Sequence, residues 1–306
     1  MAGGEHGTKA IIAALAANLG IAVLKLGAFI VTGSGAMLAE SIHSAADSGN
    51  QGLLLLGRRK AKRAPDEEHQ FGYGRERYFW AFVVAVVLFV VGSVVSIIDR
   101  IEKLLHPHEL DSVAVAIAVL VGAIGLESFS FRTAIREANP LRGDATWWQF
   151  IRRAKNPELP VVLLEDAAAL IGLALALAAI LAAYVTGNAK WDAVGTLGIG
   201  VLLAVVAVIL AVEMRSLLLG ESAAPDVQQR IRDAMLDHDQ VRRVISLRTE
   251  HIGPEDVLVA AKLEFDGDLT IRQLADVVDR VEAAVRAAVP MAHTIYLEPD
   301  VFRPDR

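Results

Sequence analysis

The chain contains no cysteine in its 306 residues. That excludes a disulfide framework, a thiolate metal site and a cysteine nucleophile, so any soft-metal chemistry falls to histidine and carboxylate side chains. The formal net charge is -6, and no basic patch with interleaved aromatic residues occurs. A nucleic-acid partner is therefore not expected. No HExxH-like signature is present, which sets aside an intramembrane metalloenzyme needing a general base beside an open metal position. Met1-Ala-Gly-Gly-Glu-His-Gly7 lacks the basic n-region and cleavage site of a signal peptide. The first apolar run therefore reads as a retained span.

Apolar residues are abundant, at 54% of the chain, and charge gathers in a few loops and in the C-terminal quarter. That distribution predicts a membrane domain followed by a soluble one. Six apolar runs are long enough to span: Ile11 to Thr32, Ala36 to Gly57, Tyr78 to Ile98, Val113 to Phe131, Pro160 to Tyr184 and Trp191 to Val212. The loop after the second run carries Arg58, Arg59, Lys60, Lys62, Arg63, Arg75 and Arg77, and the loop after the fourth carries Arg136, Arg142, Arg152, Arg153 and Lys155. The positive-inside rule then puts both termini in the cytoplasm.

From Leu219 onward the pattern changes. Val227 to Leu236 has helical spacing, Val241 to Glu250 and Val257 to Phe265 alternate, Ile271 to Val289 is amphipathic, and His293 to Glu298 ends as a short strand. The order αββαβ predicts a small α+β sandwich of ferredoxin-like type. The expected divisions are an N-terminal tail over 1–10, a six-helix transmembrane domain over 11–216 and a cytoplasmic domain over 217–306.

Within the second run, Glu40, His43 and Asp47 stand three and four residues apart, so a helix stacks them along one stripe. An ionisable group inside a bilayer costs roughly 2.5 to 3.5 kcal/mol on insertion scales and lines an interior path rather than facing lipid. The fifth run brings a second acidic pair, Glu165 and Asp166. Neighbouring helical residues point about 100° apart, so only one of the pair can aim squarely at a shared site. Histidine with carboxylates suits Zn2+ first, with Mn2+, Fe2+ and Co2+ as alternatives. His43, Asp47, Glu165 and Asp166 are thus the candidate metal ligands. Glu40 and Glu127 are candidates for a proton path, and Lys25 is a further intramembrane charge. Ligands must lose protons to bind metal, so proton entry favours metal release, the logic of a proton antiporter. Asp66 and His69 form a weak candidate site in the loop after the second run, where a solvated turn is the bland reading. His106 and His108 read as an exposed turn.

His43-Ser-Ala-Ala-Asp47, the acidic fifth run, the His69-Gln-Phe-Gly-Tyr-Gly74 loop and the ending Tyr296-Leu-Glu-Pro-Asp300 together resemble the cation diffusion facilitator family over almost the whole chain. Within it, Glu40 to Gln51 and Leu163 to Gly172 resemble the branch that includes animal zinc transporter nine. The resemblance implies proton-coupled export of zinc or a similar divalent cation from the cytoplasm by a homodimer in the lipid bilayer, with no prosthetic group and no enzymatic activity. An Arg-over-Lys, Ala-rich composition points to a bacterial inner membrane. The chain departs from the family pattern at three places. Val162 stands one turn before Asp166, where a His or Asp is usual. Tyr73 replaces a loop histidine. Ile245, Lys262 and Tyr296 or Leu297 occupy the positions of a regulatory metal cluster. A scaffold or metal-sensing partner without transport is the alternative reading.

Overall fold

Why the chain divides follows from where its apolar residues go. The computed structural model describes residues 7–32, 35–95, 113–186 and 190–304. They form two units. The first holds the described residues through Lys62 and within Glu76–Arg215, and the second holds Arg63–Arg75 with the described residues from Ser216 onward. The loop after the second long helix therefore clusters with the C-terminal unit.

In the first unit, α1 (Thr8–Thr32) and α2 (Gly35–Ala61) are followed by α3 (Glu76–Val87), which continues as a π-helical stretch over Leu88–Val95. Then come α4 (Val113–Arg142), the short α5 (Trp147–Arg153), α6 (Glu158–Thr186) and α7 (Lys190–Leu219). Helix α1 packs on α2 and α4, α2 on α3, and α4 on α6. Small side chains make this possible: Ala10, Ala13, Ala14 and Ala17 of α1 are buried, as is Ala123 of α4, letting backbones approach where no water drives helices together. Large apolar residues point outward instead, with Val31 and Val185 each 81% exposed. Such a surface is stable in lipid and not in water.

Four described segments are long and apolar enough to cross a membrane: Thr8–Val31, Ala114–Arg142, Glu158–Thr186 and Leu197–Leu219. Helix α2 has the length, at 27 residues, but carries the polar stripe. The third expected span runs beyond Val95 into residues outside those described, as do His106 and His108.

In the second unit, α8 (Pro225–Leu236), β1 (Val241–Gly253), β2 (Asp256–Phe265), α9 (Ile271–Ala288) and β3 (Thr294–Pro299) follow in the αββαβ order. β1 and β2 form an antiparallel hairpin, and β2 pairs with β3 in parallel. A parallel pair needs a crossover, which α9 supplies. Its start is fixed by a capping box between Thr270 and Gln273. Val277, Val281 and Val285 recur every fourth residue on the buried face of α9, against Val257, Val259, Ala261 and Leu263 at alternate positions of β2. The two periods, four and two, meet in one core with Ile231 and Met235 of α8.

Candidate metal centre

Helix α6 opens with Glu158-Leu-Pro160, a first turn in which the missing proline N–H is no loss. Glu165 and Asp166 follow, both buried. They diverge as adjacent helical residues must. Glu165 turns to α2: its Oε1 accepts from Asn50 Nδ2 at 3.1 Å and its Oε2 from Gln51 Nε2 at 2.9 Å. Asp166 turns to α4, where Ser130 Oγ donates to its Oδ2 at 2.6 Å. Asp47 of α2 is half-buried and interacts electrostatically with Glu165 and with Glu127 of α4. Glu127 lies one turn before Ser130, is 4% exposed, and also feels the charge of Lys25. The Lys25 ammonium donates to Ser44 Oγ at 2.9 Å. Carboxylates from α2, α4 and α6 are thus gathered around one buried polar core of an apolar bundle.

Among the sequence candidates, then, the fold brings Asp47, Glu165, Asp166 and Glu127 into one neighbourhood, with Glu165 on the α2 side. The side chains of Glu40 and His43 lie outside those described, although their backbones are helical. Val162, fully buried, presents no donor one turn before Asp166. Among the described residues no three histidine or carboxylate side chains converge with metal-binding geometry.

The sequence reading missed four polar residues of this core: Asn18, Asn50, Gln51 and Ser130, none more than 6% exposed. Asn18 Nδ2 donates to Gln51 Oε1 at 3.3 Å, linking α1 to α2. The available signal was their amides and hydroxyl inside spanning runs, where each needs a partner. Also missed was an ion cluster at one end of the bundle. Glu158 of α6, 1% exposed, accepts from Arg77 Nε of α3 at 2.5 Å and from its Nη2 at 2.8 Å, with Arg58 Nη1 of α2 at 3.8 Å.

The loop candidates sit in a different chemistry. Asp66 Oδ2 accepts from the Tyr73 hydroxyl at 2.5 Å and Oδ1 from the His69 amide at 2.8 Å. The Tyr73 hydroxyl, then the His69 amide, hold the Asp66 carboxyl below its ordinary range. Tyr73 stacks with His69 at 4.4 Å and lies under the Arg63 guanidinium at 4.2 Å. The tyrosine that replaces a histidine thus closes the loop by a hydrogen bond to the same aspartate. The loop is tied to β1: Arg75 pairs with Glu250, and a Cβ on Gly74 would meet Ile252 O at 2.7 Å and Gly253 Cα at 2.9 Å. In the C-terminal unit Lys262 donates to Glu298 at 2.8 Å and to Asp300 at 3.4 Å, a resident cation between two carboxylates.

Comparison with known proteins joins these observations to a family. Residues 11–219 match the cation efflux transmembrane domain, and residues 223–300 match the cytoplasmic domain of cation efflux proteins. The chain is 33% identical over 267 residues to the proton-coupled zinc antiporter SLC30A9, mitochondrial, of Xenopus laevis, covering 86% of this chain and 48% of the relative. It is 30% identical to metal tolerance protein C4 of Arabidopsis thaliana, covering 88% and 59%. It is 25% identical to the manganese efflux system protein MneP of Bacillus subtilis, covering 91% and 90%. The chain spans about half the length of the animal relatives it matches. With a membrane-embedded helical domain joined to a small α+β unit and carboxylates buried in the helices, the chain belongs to the cation efflux, or cation diffusion facilitator, family of metal transporters.

Proposed function

We propose that the protein is a proton-coupled antiporter exporting a divalent cation, zinc first, from the cytoplasm. The cation is held by His43 and Asp47 of α2 and Glu165 of α6, with Asp166 a fourth ligand or its exchange partner. The observation that carries this reading is Glu165: its carboxylate is buried, turned to α2 and coupled to Asp47. Three such donors and a water complete a tetrahedral zinc shell. Because histidine must be neutral and the carboxylates ionised to bind, cation and proton compete for one set of lone pairs. Exposing that set alternately to each face exchanges one for the other. Glu127 and Glu40 serve as the proton path.

Six spans, with both termini on the cytoplasmic side of a bacterial inner membrane and two protomers joined through the C-terminal unit, complete the proposal. The match of residues 223–300 to the cytoplasmic domain supports the last part. The test is zinc flux in proteoliposomes with Glu165→Ala and Asp166→Ala side by side. Glu165→Ala should raise half-saturating zinc at least tenfold, about the weight of one charged ligand, and Asp166→Ala should do less. Equal flux in Glu165→Ala and the parent protein would remove Glu165 from the site. Val162 favours a second reading, a metal-sensing partner that does not transport. That reading expects saturable zinc binding without flux.

A further inference from the structure

The buried amides around Glu165 form an ordered chain. Asn18 donates through Nδ2 to Gln51 Oε1, and Gln51 donates through Nε2 to Glu165 Oε2, while Asn50 Nδ2 takes the other carboxylate oxygen. Gln51 is 0% exposed and Asn50 2%, so in this conformation both amides take their partners from within the bundle. A primary amide has one accepting and one donating end. With its oxygen engaged by Asn18, Gln51 has only its N–H end to offer Glu165. The reverse orientation would set amide oxygen against carboxylate oxygen.

We propose that Asn18 and Gln51 are positioning residues: an amide relay from α1 through α2 that aims a donor at Glu165, fixes its rotamer and leaves one lone-pair direction on each oxygen for the transported cation. This rests on Glu165 being a ligand. It assigns a role to α1, which supplies none of the proposed ligands. Two donors on one carboxylate also draw charge from it, so the relay sets how tightly the cation is held as well as where.

The relay has a direction, and direction can be reversed. Asn18→Asp presents only acceptors once it is ionised, so in assays run at alkaline pH Gln51 must turn its N–H end to α1 and its oxygen to Glu165. Asn18→Ala removes the constraint and lets Glu165 orient Gln51 alone. In proteoliposomes, Asn18→Asp should therefore raise half-saturating zinc by about tenfold, the weight of one hydrogen bond to a charged group, with the maximal rate near that of the parent. Asn18→Ala should shift it much less. In a Glu165→Gln background the substituted side chain can itself donate to a reversed Gln51 while still accepting from Asn50. The melting temperature in detergent, lowered by Asn18→Asp in the parent, should then hardly change on adding Asn18→Asp.

Equal shifts for the two Asn18 variants would overturn the relay. So would a fall in maximal rate alone, an undiminished melting penalty in the Glu165→Gln background, or failure of Asn18→Asp to fold in both backgrounds. Folding only in the Glu165→Gln background would support it. The underlying ligand assignment fails separately, if Glu165→Gln leaves half-saturating zinc unchanged.

Discussion

The ion cluster of Arg58, Arg77 and Glu158 joins the C-terminal end of α2 to the N-terminal ends of α3 and α6. Glu158 is the hinge of the cluster: it is 1% exposed and meets Arg77 through both its oxygens. Glu158→Gln keeps the volume and removes the charge, leaving two guanidinium groups, each 8% exposed, without the carboxylate they share. Removing one partner of a buried pair costs roughly 3–5 kcal/mol, and Glu158→Gln takes away the one carboxylate that both guanidinium groups face in this cluster. Arg77→Met should cost less, since Arg58 remains 3.8 Å from Glu158. In Glu158→Gln with Arg77→Met both charges of the bidentate pair leave together, so the double variant should be more stable than the sum of the single losses by about 1–3 kcal/mol. Unfolding in detergent, followed by tryptophan fluorescence, gives all three values. Strict additivity, or a loss below about 1 kcal/mol for Glu158→Gln, a value typical of exposed pairs, would refute a buried, coupled cluster.

The tie between the loop and β1 predicts that Gly74→Ala, whose new methyl would have backbone atoms of Ile252 and Gly253 as its three nearest neighbours, costs about 1–3 kcal/mol; it should expose residues 63–75 to limited proteolysis while α9 and β2 stay protected. Tyr73→Phe removes the main cause of the low Asp66 pKa, so carboxyl NMR should find Asp66 titrating nearer its ordinary value. In the parent the Asp66 contribution is present above the unfolded pKa and is lost as pH falls through the lower folded one. Asp256 behaves in the opposite sense: burial, opposed by His293 at 3.4 Å, raises its pKa. Folding with that carboxylate charged is disfavoured at neutral pH, so Asp256→Asn should raise the melting temperature of the C-terminal unit at pH 7, and the gain should vanish in acid, where both states are protonated.

Much of the C-terminal unit was legible because its periods are strong. Alternation in Val257 to Leu263 and fourfold spacing in Val277 to Val285 each depend on local geometry alone, and both elements begin within a residue of where the pattern places them. The membrane runs were legible as apolar length. The polar stripe, however, lowers the hydropathy of α2, so spanning length is evident in four segments while the count of six rests on pattern. Of the proposed site, His43 and Asp47 are marked in the sequence by their spacing and by the cost of burying charge. Which of Glu165 and Asp166 turns to α2 depends on the rotation of α6 against its neighbours, which adjacent acidic residues cannot encode. Asn18, Asn50 and Gln51 escaped notice because an amide in an apolar run carries no charge to flag it, and its meaning appears only when its partner across the helices is known. The loop over 63–75 joins the C-terminal unit through the Arg75–Glu250 pair and through backbone contacts at Gly74, and the second of these is invisible in residue type.

Cation transport through the buried carboxylates is tested most directly by zinc flux into proteoliposomes under an imposed pH gradient, comparing the parent with His43→Ala combined with Asp47→Ala. The expected result is flux in the parent that collapses when the gradient is dissipated, and none above protein-free vesicles in the double variant, which should still fold and purify. Undiminished, gradient-dependent zinc flux in the double variant would contradict a metal centre on α2.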